Sequence, residues 1–426
     1  MPTARPPFRM ATRVVSLLVG CAALLGAARP AAAQQLVLRN ASVVDVVTGN
    51  IQRDAVVIID EGRIRSIRAD ATGVPAGARV IDLGGRYLMP GLMDAHVHIA
   101  TMDQARRALE SGVTTARSMG VSSYADVGLN RLEEQGVPGI PEIIPAGYHI
   151  RPQPAEPFFF DHPDLSRYMG GNVRGPEAIR AMVQAMAERG IAWVKTTVTE
   201  RAGLPDTDPR KQIYGDDEMR AMVEEAAAHD LTVAAHAHGD AGARAAVQAG
   251  VRSIEHGTFL TSETLSLMKQ RGTFLVPTMA IVIDLALPGG DYDDAFLQIR
   301  GRAMLPRIRE VVRNARIMGI PIVAATDTGY GPESITRVCH ELEEFVGIGM
   351  SPLQAIQAAT TTPAQLFGIE GRTGRVAQNF EADLIILDRN PLEDVRAIQD
   401  VLMVINNGRI AVTRGDWAAA QTSNQP

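Results

Sequence analysis

The amino-acid sequence predicts an α/β fold, namely a (β/α)8 TIM barrel with a small composite β-sandwich subdomain built from both chain ends. The first observation is that short apolar strands alternate with amphipathic helices through the middle of the chain. The second is their number, because eight candidate strands over roughly 250 residues suit a barrel. The third is that each end of the chain carries several short β-rich runs, and no helical pattern separates the runs within either end. A doubly wound open sheet is the alternative that this pattern allows.

The composition is that of a soluble globular protein with a substantial core. The chain has 426 residues, of which 46% are hydrophobic and 21% are charged, and it contains 39 glycines. These values exclude a disordered chain and a membrane-embedded one. The fold must therefore be inferred from sequence pattern rather than from composition.

Residues 1–33 carry the pattern of a secretory signal peptide. Three arginines precede the apolar run VVSLLVGCAALLGAA, and the following RPAAAQ supplies the small residues of a cleavage site. We therefore expect cleavage after Ala33 and a secreted or periplasmic protein with no membrane contact once the signal is removed. A lipoprotein signal ending at Cys21 is the alternative, although the apolar run continues beyond that cysteine.

The mature chain would be acidic. Removing the four arginines of residues 1–33 leaves 38 basic and 48 acidic residues, a net charge of −10. This balance argues against a nucleic-acid partner. Once Cys21 is lost with the signal, Cys339 has no cysteine to pair with, so an exported protein of this kind would depend on its large core for stability.

The subdomain is predicted from residues 34–89 and 369–420. The first part contains QLVLRNASVVDVVTGN and DAVVIIDEGRIRSIRA, in which short β-rich runs are separated by Thr-Gly and Glu-Gly turns. The second part repeats this texture in TGRVAQNFEADLIILDR and VLMVINNGRIAVTRG. The two parts flank a different middle, residues 90–368, which we assign to the barrel.

The barrel is predicted from eight strands and the helices between them. The strand candidates, in order, are GLMDAHVHI, VTTARSM, EIIPAGY, IAWVKTTV, LTVAAHAH, VRSIEHG, GTFLVPT and IPIVAATD. Helices are predicted over GPEAIRAMVQAMAERG and over DDEMRAMVEEAAAHD, the second with an acidic first turn that favours a helix N-terminus. The stretch SPLQAIQAATTTPAQLFGI predicts two more helices before the chain returns to the subdomain.

Two histidines stand one residue apart in the first strand candidate. Residues i and i+2 of a strand point to the same face, so His96 and His98 project together. At the carboxyl end of a barrel strand they would face the side where barrel enzymes carry their chemistry. Two imidazoles without a carboxylate between them suit a metal ion better than a proton relay.

The ends of four other strand candidates also carry polar side chains: Lys195, His236 with His238, His256 and Asp327. Each has a structural explanation when taken alone. The aliphatic stem of Lys195 could pack while its ammonium reaches water, and Asp327 could cap a helix. Because all of them fall at the same end of five predicted strands, the combination predicts a metal site.

The chain resembles the amidohydrolase superfamily, and within it the branch of imidazolonepropionase-like proteins, Xaa-Pro dipeptidases and ochratoxinase. The resemblance runs from VVDVVTG through YLMPGLMDAHVHI, GVTTARSMG, WVKTTV, VAAHAHG, GVRSIEHGT and AATDTG to EADLIILDRNPLEDV. It implies a barrel with two divalent metal ions, usually zinc. His96 and His98 would bind the buried ion and His236 and His256 the second one. Lys195, carboxylated on its amine, would bridge both.

The same resemblance implies that Asp327 touches the buried metal and the attacking water. A bare lysine ammonium between two dications would be repelled, so Lys195 suits this position only as a carbamate. Two metals that share a hydroxide lower the pKa of water and can polarise a substrate carbonyl. Asp327 could then take the proton and pass it to the departing amine.

Substrate contacts are less specified by the sequence. The candidates are His238, Tyr148, His149, Arg151, His162, Tyr214 and Tyr330. The loop after the third strand reads AGYHIRPQPAEPFFFDHPDLSRYMGG, which departs from the Gly-Gly-His signature of relatives. We hypothesise that Arg151 or Tyr214 anchors a substrate carboxylate, because a guanidinium can bind such a group through two hydrogen bonds.

Taken together, the sequence predicts an exported binuclear metal-dependent amidohydrolase. Its substrate would be a small molecule with an amide bond, either an Xaa-Pro-like dipeptide or an N-acyl amino acid, attacked by a metal-bridging hydroxide. Two alternatives stay open: hydrolysis of a cyclic amide such as an imidazolone or lactam, and a non-catalytic metal-binding or ligand-binding protein on the same scaffold. Relatives often form homo-oligomers, so that state is also allowed.

Overall fold

The computed structural model describes residues 35–70 and 74–415. The predicted signal peptide, with Cys21 and Ala33, lies outside the described residues. The end of the predicted subdomain, residues 416–420, also lies outside them. The domain boundaries proposed from the sequence remain predictions.

The described residues contain sixteen strands, numbered in chain order. They are β1 (Leu36–Val44), β2 (Ile51–Asp60), β3 (Arg63–Arg68), β4 (Arg79–Asp82), β5 (Tyr87–Pro90), β6 (Leu92–Val97), β7 (Val113–Ser118), β8 (Glu142–Ile144), β9 (His149–Ile150), β10 (Trp193–Thr197), β11 (Thr232–Ala237), β12 (Ser253–His256), β13 (Phe274–Val276), β14 (Leu384–Leu387), β15 (Val401–Asn406) and β16 (Arg409–Thr413).

Twelve α-helices are present in the same part of the chain. They are α1 (Met102–Glu110), α2 (Ala125–Glu134), α3 (Pro157–Asp161), α4 (Gly175–Ala187), α5 (Asp216–Ala228), α6 (Asp240–Ala249), α7 (Ser262–Arg271), α8 (Met279–Ala286), α9 (Ala295–Met318), α10 (Val338–Gly347), α11 (Pro352–Ala358) and α12 (Thr361–Phe367). Short 3-10 helices span Ser122–Tyr124, Pro163–Tyr168 and Val395–Gln399. No described helix combines the length and the apolar character needed to cross a membrane.

Strands from both ends of the chain form one eight-stranded sheet. Its order is β16-β15-β14-β5-β1-β2-β3, with β4 paired to β1. The strands β14 and β5 run antiparallel to each other, so the C-terminal strands join the N-terminal ones directly. Strands from the two ends of the described chain therefore share a single hydrogen-bonded sheet. The composite β-sandwich subdomain stays a prediction.

Two tight hairpin turns bring the ends of this sheet together. Glu61 and Gly62 connect β2 to β3, and Asn407 and Gly408 connect β15 to β16, all four with positive φ. Two-residue turns of this kind match the twist of the flanking strands, and glycine adopts them without strain. A Cβ on Gly408 would lie 2.7 Å from the Gly62 Cα. The contact between the two turns therefore requires glycine.

The middle of the chain forms two parallel sheets. One has the order β6-β7-β8 and the other the order β13-β12-β11-β10-β9. Seven of the eight predicted strand segments contain a strand. The eighth, residues 320–327, forms no strand, although Ile322 makes an isolated parallel bridge to Leu275 of β13. Just beyond it, Thr328 makes another to Val97 of β6. The hydrogen-bonded strand pairs therefore define two separate sheets rather than one closed barrel.

The helices form where capping and apolar periodicity coincide. Helix α1 begins with a capping box in which Thr101 and Gln104 satisfy each other's backbone N–H groups. Helix α5 has three acidic residues in its first turn, which suits the positive end of the helix dipole. The predicted helices at α4, α5, α11 and α12 are all present. Their buried faces join the strands in one large apolar core.

We expect Ile386→Ala to destabilise the protein by about 2–5 kcal/mol, since Ile386 is fully buried in β14 and its loss leaves a cavity. Strand β14 pairs with both β5 and β15, so the neighbouring strands limit any collapse. Chemical denaturation measures the effect. The matched control is Ile299→Ala on α9, where the side chain is 62% exposed and the change should stay within about 0.5 kcal/mol. Equal losses for the two variants would contradict this assignment of the core.

Candidate metal centre

The carboxyl ends of the parallel strands converge on one cavity, called here the metal cavity. Its polar lining includes all six residues predicted to ligate metal: His96, His98, Lys195, His236, His256 and Asp327. The predicted substrate contacts His149 and His238 line it too. Residues that are up to 231 positions apart in the sequence therefore share one site.

His96, His98 and Asp327 form the first cluster. The Asp327 Oδ1 lies 3.2 Å from the His96 Nε2 and 2.9 Å from the His98 Nε2. The backbone holds this arrangement, because the Asp327 N–H donates to the His96 carbonyl at 2.8 Å. The ligand atoms of the three side chains lie within 4.8 Å of one another.

The protonation of the first cluster favours a bound cation. The Nδ1 of His96 faces the Glu255 carboxylate at 2.8 Å, and the Nδ1 of His98 faces the Gly120 carbonyl at 2.8 Å. Both oxygens can only accept, so both Nδ1 atoms carry hydrogen. A neutral imidazole then presents an unprotonated Nε2. In that state two nitrogen lone pairs and a carboxylate oxygen face one another, an arrangement that a metal ion would satisfy.

His236, His238 and His256 form the second cluster. Their ring centroids lie between 4.5 and 4.9 Å apart, and their ligand atoms within 4.8 Å. Within the described residues, the buried Nε2 of His236 has no hydrogen-bond partner. A buried nitrogen without a partner is costly, and coordination to a metal would relieve that cost. This observation fits His236 as a ligand.

Threonine hydroxyls orient the other two rings of this cluster. The Nδ1 of His256 lies 2.7 Å from the Thr278 Oγ1, and the Nδ1 of His238 lies 2.9 Å from the Thr258 Oγ1. These contacts leave the Nε2 atoms for the metal cavity. The structure thus brings all three histidines together, so that His236 and His238 both lie in the second cluster.

Lys195 is fully buried beside the first cluster. Its Nζ lies 3.0 Å from the His96 Nε2. Burial lowers the pKa of Lys195 to about 8, although the carboxylates of Glu255 and Asp327 act in the opposite direction. At pH 7 about a tenth of the amine is then neutral, far more than for an exposed lysine, and the neutral amine is the form that can react with carbon dioxide.

The buried histidines have lowered pKa values. Desolvation lowers the pKa of His96 to about 4 and that of His238 to about 3, and it holds those of His236 and His256 well below the usual range. Burial raises the pKa of Asp327, but the surrounding imidazoles outweigh it and hold that pKa well below the usual range. These four rings are therefore neutral and the carboxylate ionised at neutral pH, as metal ligands must be.

Three residues at the strand ends have left-handed backbone. They are His256 with φ 72°, Thr278 with φ 52° and Asp327 with φ 56°. Such conformations cost about 1–3 kcal/mol for residues with a side chain and persist where the surroundings enforce them. At His256 the turn interrupts strand alternation, so consecutive residues Glu255 and His256 both lie against His96.

Residues that the sequence did not single out support the first cluster. The Glu255 carboxylate contacts His96 on one side and accepts from the Arg117 Nη2 at 2.9 Å on the other. Burial would raise the pKa of Glu255, but Arg117 and the hydrogen bond from His96 lower it to about 2. The sequence signal that could have identified Glu255 is its position beside His256 in a short strand that is predicted to be buried.

Three of the predicted substrate contacts line a second cavity, called here the arginine cavity. Tyr148 and Arg151 line it, and it shares His98, His149 and Arg201 with the metal cavity. The Nε2 of His149 and the Nε of Arg151 are buried and have no hydrogen-bond partner in the described chain. These two buried polar atoms are therefore unsatisfied within the described residues.

Three other predicted contacts line neither the metal cavity nor the arginine cavity. The hydroxyl of Tyr330 donates to the Asp94 carboxylate at 2.9 Å, and that of Tyr214 donates to the Val173 carbonyl at 3.1 Å. The Nε2 of His162 pairs with the Tyr124 hydroxyl at 2.6 Å. Their polar atoms are used within the protein, so we do not carry these three residues into the proposed function.

Two features of the cavities were missed by the sequence analysis. Arg201 lines both cavities, and its guanidinium has no hydrogen-bond or ion-pair partner among residues 35–70 and 74–415. The second feature is an apolar wall in the metal cavity. It is formed by α8, which contributes Ile281, Val282 and Leu285. A single arginine in the loop after β10 and an apolar helix give no sequence signal of their own.

Residues 87–411 match the model of the Amidohydrolase family. The chain belongs to the amidohydrolase family, which confirms the resemblance noted in the sequence. It is accordingly a hydrolase that acts on carbon–nitrogen bonds of the amide type.

Individual relatives are similar over most of the chain. Ochratoxinase of Aspergillus niger is 28% identical over 352 residues, covering 74% of this chain and 72% of its own. A solved Xaa-Pro dipeptidase with methionine in its active site has a TM-score of 0.79 at 27% identity, covering 88% of this chain and 99% of its own. A prolidase complexed with N-methylphosphonate-L-proline has a TM-score of 0.77 at 25% identity, covering 90% and 100%. These likenesses imply the TIM-barrel fold.

We expect Arg300→Met to loosen the loop that carries Arg201. The Arg300 guanidinium donates to the carbonyls of Ala202, Leu204, Pro205 and Thr207 at 2.6–2.9 Å. Losing several hydrogen bonds from a charged donor should speed amide hydrogen exchange in residues 202–207 by about tenfold or more. The control is Arg307→Met on the same helix, whose exposed side chain reaches only Glu310. Unchanged exchange in the Arg300 variant would refute this role.

Proposed function

We propose that the protein hydrolyses the amide bond of a small molecule, either a dipeptide or an N-acyl amino acid, with two divalent metal ions. The observation that carries the proposal is the convergence of two metal-competent clusters and a buried lysine in one cavity of an amidohydrolase. We also infer that the two parallel sheets are parts of one barrel, with residues 320–328 between their edges.

The residues present fit two metal ions. His96, His98 and Asp327 would hold one, and His236 and His256 the other. Lys195 would bridge them as a carbamate, formed when its neutral amine adds to carbon dioxide and releases a proton. Zinc suits these nitrogen and oxygen donors, as do other divalent ions. When bound, such ions lower the pKa of water and polarise a substrate carbonyl.

The protein's own contribution to catalysis centres on Asp327. Its carboxylate is ionised and lies within hydrogen-bond distance of two imidazoles, so it can accept a proton from the attacking water. It can then deliver that proton to the amine as the amide bond breaks. The amine needs this proton in order to leave. His149, which lines the metal cavity with an unpartnered Nε2, is placed to contact the substrate.

The two cavities suggest a substrate with two chemically different halves. Arg151 and Arg201 make the arginine cavity attractive to an anionic group such as a carboxylate. The wall of Ile281, Val282 and Leu285 suits an apolar group on the other side of the metal cavity. The names of the similar proteins support this choice, because they include a Xaa-Pro dipeptidase and a prolidase with a proline-containing ligand.

We expect the purified protein to hold about two equivalents of divalent metal and to hydrolyse members of a dipeptide and N-acyl amino acid panel. Lys195→Ala should lose metal, because the bridging ligand is removed. Asp327→Asn should lower kcat by about 10²–10⁴-fold. Metal analysis and steady-state kinetics measure these effects, with Asp383→Asn as a buried carboxylate control immediately before β14.

The same panel separates this proposal from its alternatives. It should include cyclic amides such as imidazolones and lactams. If the protein hydrolysed only those compounds, it would be a cyclic amide hydrolase rather than a dipeptidase or N-acyl amino acid hydrolase. Two equivalents of metal without turnover of any amide or ester would favour a binding protein.

We expect Arg151→Met and Arg201→Met each to lower kcat/KM by about 10- to 100-fold for a substrate with a free carboxylate, since each removes a charge-assisted hydrogen bond. The same variants should change little with the matched carboxamide, in which the charge is absent. Tyr214→Phe is the control, because its hydroxyl contacts Val173 rather than either cavity. Equal losses on the carboxylate and the carboxamide would argue against an anion site.

A further inference from the structure

We infer that Glu255 is a positioning residue that fixes the tautomer of His96 and thereby makes the first cluster the tighter of the two metal sites. The inference rests on the proposed function, since it concerns the relative affinity of the two sites that function requires. The contacts of Glu255, the differences between the two clusters and the placement of Arg117 carry it.

The contact between Glu255 and His96 fixes a hydrogen on the Nδ1 of the ring, and therefore fixes the tautomer of the neutral ring. The Glu255 Oε2 lies 2.8 Å from the His96 Nδ1, and both side chains are almost completely buried. A carboxylate paired with an arginine only accepts, so the His96 Nδ1 must donate. The Nε2 is left unprotonated, and it faces the metal cavity beside the Lys195 Nζ and the Asp327 Oδ1.

Arg117 keeps the Glu255 carboxylate charged and in place. Its Nη2 donates to the Glu255 Oε1 at 2.9 Å, and the Ser253 hydroxyl donates to the same oxygen at 2.5 Å. The guanidinium is itself fixed, because its Nε donates to the Ala95 carbonyl at 2.7 Å and it lies 4.5 Å from the centroid of the Trp193 ring. The carboxylate therefore has little freedom to turn away from His96.

This network also joins the two parallel sheets beneath the site. Arg117 and His96 belong to the sheet of β6, β7 and β8, whereas Glu255 belongs to the sheet of β9 to β13. The bonds that Glu255 makes with His96 and Arg117 therefore cross from one sheet to the other. A structural role is expected on this ground alone, so a test must use a readout that stability does not move.

The second cluster lacks a comparable partner. Neutral threonine hydroxyls contact the Nδ1 atoms of His256 and His238. In the first cluster, the Nδ1 of His98 contacts only the Gly120 backbone carbonyl. A carboxylate behind a ligating histidine raises the basicity of the ring and typically strengthens metal binding by about 10- to 100-fold. Because only His96 has such a partner among the five clustered histidines, the first cluster should bind metal more tightly.

The test measures zinc affinity one site at a time. His236→Asn leaves the first cluster intact, and His98→Asn leaves the second. In the His236→Asn background, Glu255→Gln should weaken zinc binding by about 10- to 100-fold in competition with a chelating indicator. In the His98→Asn background the same substitution should leave the affinity of the remaining site within about twofold.

Glu255→Asp provides a second variant in case the glutamine variant does not fold. It keeps the charge for Arg117 but withdraws the carboxylate from the His96 Nδ1, so the same selective loss is expected. Glu142→Gln is the matched control. It removes a carboxylate from the pair that Glu142 makes with Arg372, remote from both clusters, and should alter stability without altering either zinc affinity.

Nitrogen NMR of the histidine rings in the metal-free protein adds an independent readout. His96 should be an Nδ1–H tautomer in the wild type and a mixture in Glu255→Gln. Unchanged zinc affinity at the first cluster in both Glu255 variants would overturn the inference and leave the proposed function standing. Wild-type protein that binds zinc at neither cluster would instead overturn the proposed function, and this inference with it.

Discussion

Burial of imidazole rings at the carboxyl ends of the parallel strands is the constraint on which the rest of this site depends. Desolvation disfavours the charged form of each ring, so His96, His236, His238 and His256 are neutral where an exposed histidine would be partly protonated. Neutral rings keep the lone pairs that a metal requires. The same burial lowers the pKa of Lys195, which raises the fraction of neutral, reactive amine.

That constraint has an electrostatic consequence for the surrounding protein. A buried ring keeps one nitrogen directed to the cavity when a partner holds its other nitrogen. Partners of three kinds orient four of the five clustered rings: the Glu255 carboxylate, the Thr258 and Thr278 hydroxyls and the Gly120 carbonyl. The Nε2 atoms are consequently directed to one cavity. The left-handed backbone at His256 and Asp327 contributes by turning these residues inward where the strands end.

The residues proposed to select the substrate lie on different structural elements from the strand-end ligands, although some of them line the same cavity. The loops after the strands carry Arg151 and Arg201, and α8 supplies the apolar wall. Arg300 on α9 holds the loop of Arg201 through several backbone carbonyls. Loops and an adjoining helix can change without disturbing the strand ends, so a common site of this kind is compatible with different substrates.

Much of the fold and of the candidate site was predictable because it depends on local pattern. The alternation of strands and helices was visible, and seven of the eight strand segments contain strands. The segment at residues 320–327 was predicted as a strand because it is apolar, but it makes only one isolated bridge, at Ile322. Tyr330 was a plausible substrate contact by its position after Asp327. Its hydroxyl instead donates to Asp94, a residue 236 positions earlier in the chain.

The sequence by itself determined the residue types at the strand ends and their shared face, because strand periodicity places His96 with His98 without reference to the rest of the chain. It also contained the motifs of the amidohydrolase family. Only the tertiary structure decided which groups orient those side chains. The pairing of Arg117 with Glu255 and the placement of Arg201 at both cavities depend on contacts between distant segments, and no local periodicity records such contacts.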